Sequence, residues 1–190
     1  MAGPKSPPFH NMTTDEFIML ALAPLAVILS LAAWQDIHEA RISNRVVLAG
    51  AILGIVLNTL LPQGSGFLSA FPGGVGLAGS LEGLALGFAL LFPYYWLGVS
   101  GAGDVKLLAV VGAFLGPWDV FGATLVVFVA GGLLALVLSA MTGTVRSLLS
   151  NLAPKRLKEV TVAEQSVGNL PYAAAIAAGT ICYAGWRLAS

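Results

Sequence analysis

With 190 residues, a formal net charge of zero, 57% hydrophobic residues and only 9% charged ones, the chain lacks the charged surface of a soluble domain, in which about a quarter of residues are charged. Mean hydropathy is +0.88, and apolar residues run for whole spans with charges confined to short intervals, the pattern of helices solvated by lipid. The absence of a basic stripe leaves nucleic-acid binding without electrostatic support, and a single cysteine, Cys182, excludes an intrachain disulfide and a Cys-x-x-Cys metal site.

In chain order, residues 1–14 read as a polar tail whose one cation is Lys5. This is a poor signal-peptide start, so the first apolar span reads as a retained anchor. About 20 apolar residues are needed to cross a bilayer core near 30 Å. On that measure the sequence predicts an all-α, polytopic membrane protein of about six transmembrane helices, at residues 17–34, 46–61, 77–97, 105–115, 120–141 and 170–188. Pro93 is placed to kink the third, and Gly116-Pro117 closes the short fourth. The Gly- and Pro-rich segment 62–76 reads as a connector, although Phe67, Leu68 and Phe71 would suit a loop dipping into the interface. Residues 142–168, with Arg146, Lys155, Arg156, Lys158, Glu159 and Glu164, form the one long polar stretch and read as a loop. No internal repeat is visible, and residues 1–190 are expected to form a single transmembrane domain.

Cations in short loops tend to stay in the cytoplasm. The intervals after the first, third and fifth expected helices carry Arg41, Arg45, Lys106, Arg146, Lys155, Arg156 and Lys158, against Lys5 and Arg187 on the other side. The expected orientation therefore puts the N-terminus outside and the first and third connections, together with the 142–168 loop, in the cytoplasm.

That orientation brings two carboxylates to one surface. Asp36 follows Trp34-Gln35 at the inner end of the first helix, and Asp104 ends the run Gly101-Ala102-Gly103-Asp104 before the fourth. Ionisable groups beside apolar helix ends are costly to keep, which makes them functional candidates. Gly101 and Gly103, lacking a Cβ, permit positive φ or a close approach by another chain segment. Read singly, Asp36 is more often an ion-pair partner for Arg41 and Arg45 than a catalyst, and Asp104 more often an N-cap. Read together, two carboxylates a few ångströms apart share a proton and hold a water between them, an arrangement suited to peptide-bond hydrolysis. Elsewhere, Asp119 is expected to cap the fifth helix and Glu82 to pair with a neighbouring helix or tune a cavity.

Two stretches carry a family resemblance. Asp36, then Arg41-Ile42-Ser43-Asn44, resembles the Asp…Arg-Ile-Pro-Asn signature of type IV prepilin peptidases, and Gly101-Ala102-Gly103-Asp104-Val105-Lys106-Leu107 resembles their Gly-x-Gly-Asp-x-Lys-Leu signature. Leu170-Pro171-Tyr172-Ala173 is similar to the Pro-Tyr that opens the last helix of the short members. The resemblance implies an aspartic endopeptidase that removes the cytoplasmic leader of prepilins, with Asp36 and Asp104 as the catalytic pair and no metal or other cofactor. Gly101, Gly103, Lys106, Arg41 and Asn44 match supporting motif positions; the two cations would favour ionisation of the pair or steer an acidic substrate group. The implied partners are a prepilin helix and leader, membrane lipids and pilus assembly machinery. Ser43 replaces the usual Pro and is expected to loosen the turn. The Cys-x-x-Cys insert of larger members is missing, so the likeness is to the short, peptidase-only form of tight-adherence (Flp) pili, without methyltransferase activity. The alternative is a small proton- or cation-coupled transporter, a class that also uses membrane carboxylates and glycine-broken helices. Against it, the acidic residues group at one surface rather than the midplane.

Overall fold

Helices that are apolar on every face can turn one side to their neighbours and the other to lipid. The computed structural model of the chain follows this rule, with Leu25, Leu29, Leu107, Leu108, Phe114 and Ile176 in the shared core and Val27, Leu31, Ile52, Val129 and Leu133 facing outward. It describes residues 14–39, 41–69, 73–98, 100–141 and 172–189. The expected tail, apart from Thr14, the 142–168 loop and residues 170–171 of the last expected helix lie outside the described residues. The elements are α1 (Thr14–Glu39), α2 (Asn44–Leu60), α3 (Gly76–Trp96), α4 (Ala102–Met141) and α5 (Tyr172–Ala189). Among the described residues there is no strand, only isolated bridges between Gln63 and Gly74 and between Gly66 and Gly73.

The all-helical class holds, whereas six separate spans are not supported. Among the described residues, three helices are long and apolar enough to cross a membrane, over Ile18–Glu39, Gly76–Trp96 and Ala102–Val137, and α2 is a shorter apolar helix. The expected fourth and fifth helices correspond to the two arms of α4, which meet at the non-helical Gly116. The neighbours along α5 show how the arms run. Asp104 lines one cavity with Asp36, which accepts from the Ala173 N–H, Asp119 is paired with Arg187, and Gly131 is back beside Tyr172. Tyr172 and Arg187 sit at opposite ends of α5, so α4 doubles back.

Gly116 makes the reversal with φ 79° and ψ 176°, a combination open essentially to glycine. Pro117 follows and has no N–H to offer the Ala113 carbonyl one turn earlier. In a lipid-surrounded bundle such a carbonyl needs another donor, and side chains from two other helices supply it. Asn58 Nδ2 of α2 donates to the carbonyls of Ala113 at 2.8 Å and Phe114 at 2.9 Å, and Ser80 Oγ of α3 donates to Ala113 at 2.7 Å. The Asn58 Oδ1 accepts from the Val75 N–H at 3.0 Å, tying the segment before α3 to the same point. Asn58 and Ser80 are both fully buried.

Close backbone packing sets the α3–α4 contact. A Cβ at Gly83 would meet the Gly112 carbonyl oxygen and one at Gly112 the Gly83 carbonyl oxygen, while one at Gly87 would meet that of Leu108. Small residues thus bring two helices together where lipid provides no hydrophobic drive. The segment after α2 is more than a connector, since Phe67 and Leu68 are buried and Phe67 packs with Ala21 and Leu61. At this end of the bundle Trp118 and Trp186 are exposed, and at the other Trp34, Tyr94, Tyr95 and Trp96 are exposed. Aromatic girdles of this kind mark membrane–water interfaces, and the 21 residues of α3 reach about 30 Å at 1.5 Å per residue, the thickness of the hydrocarbon core. The chain is a membrane protein.

Candidate active site

Both aspartates are helical residues rather than loop residues. Asp36 lies in the last turn of α1 and Asp104 in the first turn of α4. At Asp104 the Gly101 N–H donates to Oδ2 at 2.9 Å, and the Asp104 N–H returns to the Gly101 carbonyl at 3.1 Å. This is the backward half of a capping box, with the carboxylate three residues into the helix satisfying the cap's own N–H. A Cβ at Gly101 would stand 3.3 Å from that same Oδ2, and one at Gly103 would stand 3.1 Å from Ile42 Cδ1. The glycines therefore serve close approach and not positive φ, which falls instead at Gly98, at 74°.

Asp36 is fixed from a different direction. Its Oδ2 accepts from the Ala173 N–H at 3.2 Å, so a carboxylate of α1 caps the first turn of α5, where unpaired N–H groups and the helix dipole favour negative charge.

The turn between α1 and α2 is held by side chains. Gln35 Oε1 accepts from the Ser43 N–H at 3.0 Å, and Ser43 Oγ accepts from the Arg45 N–H at 3.3 Å as the N-cap of α2. Proline would have no N–H for Gln35 and no hydroxyl for the cap, so Ser43 does not loosen this turn as expected; it ties it on both sides. Lys106 Nζ donates to Asn44 Oδ1 at 2.9 Å, joining the two motif stretches through their polar residues. Neither Lys106 nor Arg41 forms an ion pair with either aspartate among the described residues.

These contacts enclose one open cavity of about 310 Å³, lined by Asp36, Arg41, Ile42, Asn44, Gly101, Ala102, Gly103, Asp104 and Lys106. Every site residue expected from the sequence lines it, Asp36 and Asp104 together. Asp104 is buried, at 7% exposure, while Asp36 is half-buried. No group of three His, Cys, Asp or Glu residues suited to a metal ion occurs among the described residues. Water between two carboxylates with polar neighbours is enough for acid–base hydrolysis, one group taking a proton as the other gives one.

Residues 23–136, more than half of the chain, match the family model of the type IV leader peptidases. The chain belongs to the type IV leader peptidase family. No curated protein and no solved structure matches it. This membrane peptidase keeps the whole lining of its cavity inside the matched stretch, which starts in α1 and ends in the second arm of α4; α5 lies beyond it.

Two features of the leader peptidase escaped the sequence reading. Gln35 and Ala173 hold the site through a side-chain amide and a backbone N–H, groups that carry no residue-type signal at that distance. Asp119 was expected as a helix cap, yet it is buried and accepts from Tyr183 Oη at 2.9 Å and from Arg187 Nη2 at 3.3 Å. A buried carboxylate selects the cation within reach over a cap, and α5 is what brings Arg187 there. Glu82 is exposed on α3 and forms no hydrogen bond or ion pair among the described residues.

Proposed function

We propose that this peptidase is an aspartic endopeptidase in which Asp36 and Asp104 activate a water to cut the leader from a type IV, Flp-like prepilin. The observation that carries this reading is that both carboxylates line one cavity at one end of the bundle, on helices distant in sequence. In the hydrolytic step the ionised carboxyl takes a proton from the water as its oxygen attacks the scissile carbonyl, and the protonated carboxyl donates to the carbonyl oxygen. The tetrahedral intermediate then collapses with proton transfer to the leaving amine. The two groups titrate as a pair, so neither role belongs to one residue.

Orientation follows from charge. Arg41, Arg45 and Lys106 cluster at the cavity end, and Arg187 lies at the other, so we place the cavity at the cytoplasmic face and the N-terminus outside. A prepilin keeps its apolar helix in the bilayer and its leader inside, which delivers the cleavage point to that interface. The exposed Arg41 and Lys106, without a carboxylate partner among the described residues, suit an acidic group on the substrate. The reading includes a pilus assembly complex as the destination of the product and no methylation step.

The test is cleavage of a prepilin by the purified protein in lipid nanodiscs. Wild type should release the leader, and Asp36→Asn and Asp104→Asn should each abolish it while keeping an oxygen acceptor for the Ala173 and Gly101 N–H groups. Leader release that persists in either variant would sink the two-aspartate mechanism, and proton- or cation-driven transport without cleavage would support the transporter reading instead.

A further inference from the structure

The helix beyond the family-matched stretch holds one of the two carboxylates. Among the described residues the Asp36 side chain has a single hydrogen-bond donor, the Ala173 N–H in the first turn of α5, at 3.2 Å. A backbone N–H has no rotamers of its own, so the aim of Asp36 is set by where α5 stands along its axis. A slide of one residue, about 1.5 Å, stretches that contact past the reach of a hydrogen bond. Lipid resists such sliding little, because apolar side chains gain no hydrophobic energy by leaving it for a neighbouring helix.

The contacts that can fix the axial position lie towards the other end of α5. Along the second α4 arm, Tyr172 packs against Gly131, and Gly179 comes so close that a Cβ there would stand 2.7 Å from Val127 Cα. These are packing contacts with no direction of their own. Directional contacts begin at Asp119, early in the same arm, where Oδ1 accepts from Tyr183 Oη at 2.9 Å and from Arg187 Nη2 at 3.3 Å. The seat is shaped to the ring, since a Cβ at Gly122 would stand 2.6 Å from the Tyr183 hydroxyl oxygen. Asp119 and Tyr183 are both buried, where a polar group without its partner is costly. About 15 Å of helix separates Tyr183 from Ala173.

We propose that Asp119 is a positioning residue of the aspartyl site: by seating Tyr183 and Arg187 at one end of the bundle it sets the register of α5, and so holds the Ala173 N–H on Asp36 at the other. The inference rests on the two-aspartate reading above. It makes α5 a strut between two carboxylates, one that fixes the helix and one that the helix fixes. A buried ion pair that served stability alone would leave the folded enzyme with its full turnover.

Tyr183→Phe removes the hydroxyl and keeps the ring beside Gly122, while Asp119→Asn keeps an acceptor and loses the charge that draws Arg187. In nanodiscs, with a prepilin as substrate and rates taken per folded protein, kcat of Tyr183→Phe should fall by about tenfold, the loss expected when a charged group gives up one hydrogen bond, with KM close to wild type. Asp119→Asn should lower kcat in the same direction. The NMR signal of the Ala173 amide proton, identified as one that shifts in Asp36→Ala, should move in Tyr183→Phe towards its Asp36→Ala position. Wild-type kcat in Tyr183→Phe overturns the proposal, and so does a lowered kcat with the Ala173 signal unmoved, because the loss then travels by another route. If that variant does not fold, either result in Asp119→Asn overturns it equally. Wild-type protein that cleaves nothing, or an active Asp36→Asn, overturns the two-aspartate reading and this proposal with it. An inactive Asp36→Asn beside an unimpaired Tyr183→Phe removes the Asp119 role alone.

Discussion

Replacing Asn58 by leucine should unfasten the α4 reversal and, through it, the cavity. The side chains are of similar size, so little volume changes, but the amide is lost at a point where water has no access. The Val75 N–H loses its acceptor, the Phe114 carbonyl loses a donor, and the Ala113 carbonyl retains only Ser80. At about 1 kcal/mol or more for each buried polar group deprived of its partner, the expected loss is about 3 kcal/mol, a large fraction of the total stability of a typical fold. Ser80→Ala alone should cost about 1 kcal/mol, because Asn58 still serves Ala113. The double variant strips that carbonyl of both donors, so its loss should exceed the sum of the single losses by about 0.5 kcal/mol or more. Equilibrium unfolding in mixed detergent micelles measures all three. The folded fraction of Asn58→Leu should also cleave more slowly, since the first α4 arm carries Asp104. An Asn58→Leu protein within about 0.5 kcal/mol of wild type, below the cost of one unpaired buried group, or strict additivity in the double variant, would refute the reasoning.

Three further outcomes follow from the same geometry. Gly116→Ala should destabilise by about 1–3 kcal/mol because its φ of 79° and ψ of 176° disfavour any side chain, and its Cβ would stand 3.0 Å from Val75 Cγ1; an unchanged unfolding midpoint would contradict this. Ser43→Pro, although it restores the usual family residue, should lose about 1–2 kcal/mol through the missing N–H to Gln35 and the missing N-cap, and a gain in thermal stability would show that those bonds matter less than turn rigidity. The pH dependence of kcat/KM should be bell-shaped: on the acid side both carboxyls are protonated and no base remains, and on the alkaline side both are ionised and no acid remains. A rate that stays flat from acid to neutral pH would be incompatible with a shared proton.

The sequence by itself determined that lipid is the solvent, that the chain is helical, and which polar residues gather at one end. Composition and the length of apolar runs decide the first two, because bilayer thickness and backbone hydrogen bonding admit few solutions. The aspartate pair was legible because charges are so rare in this chain that each one has to be explained. The count of spans was not legible. Gly116-Pro117 marks the break between the two α4 arms, but what satisfies the Ala113 carbonyl there is supplied by Asn58 on α2 and Ser80 on α3. The same holds for Ser43, whose worth depends on the Gln35 side chain at the end of α1, and for Asp119, drawn from a cap to an ion pair by Arg187. Tertiary structure decided these cases because each turns on a hydrogen-bond partner supplied by a distant segment, and local pattern carries no record of who arrives there.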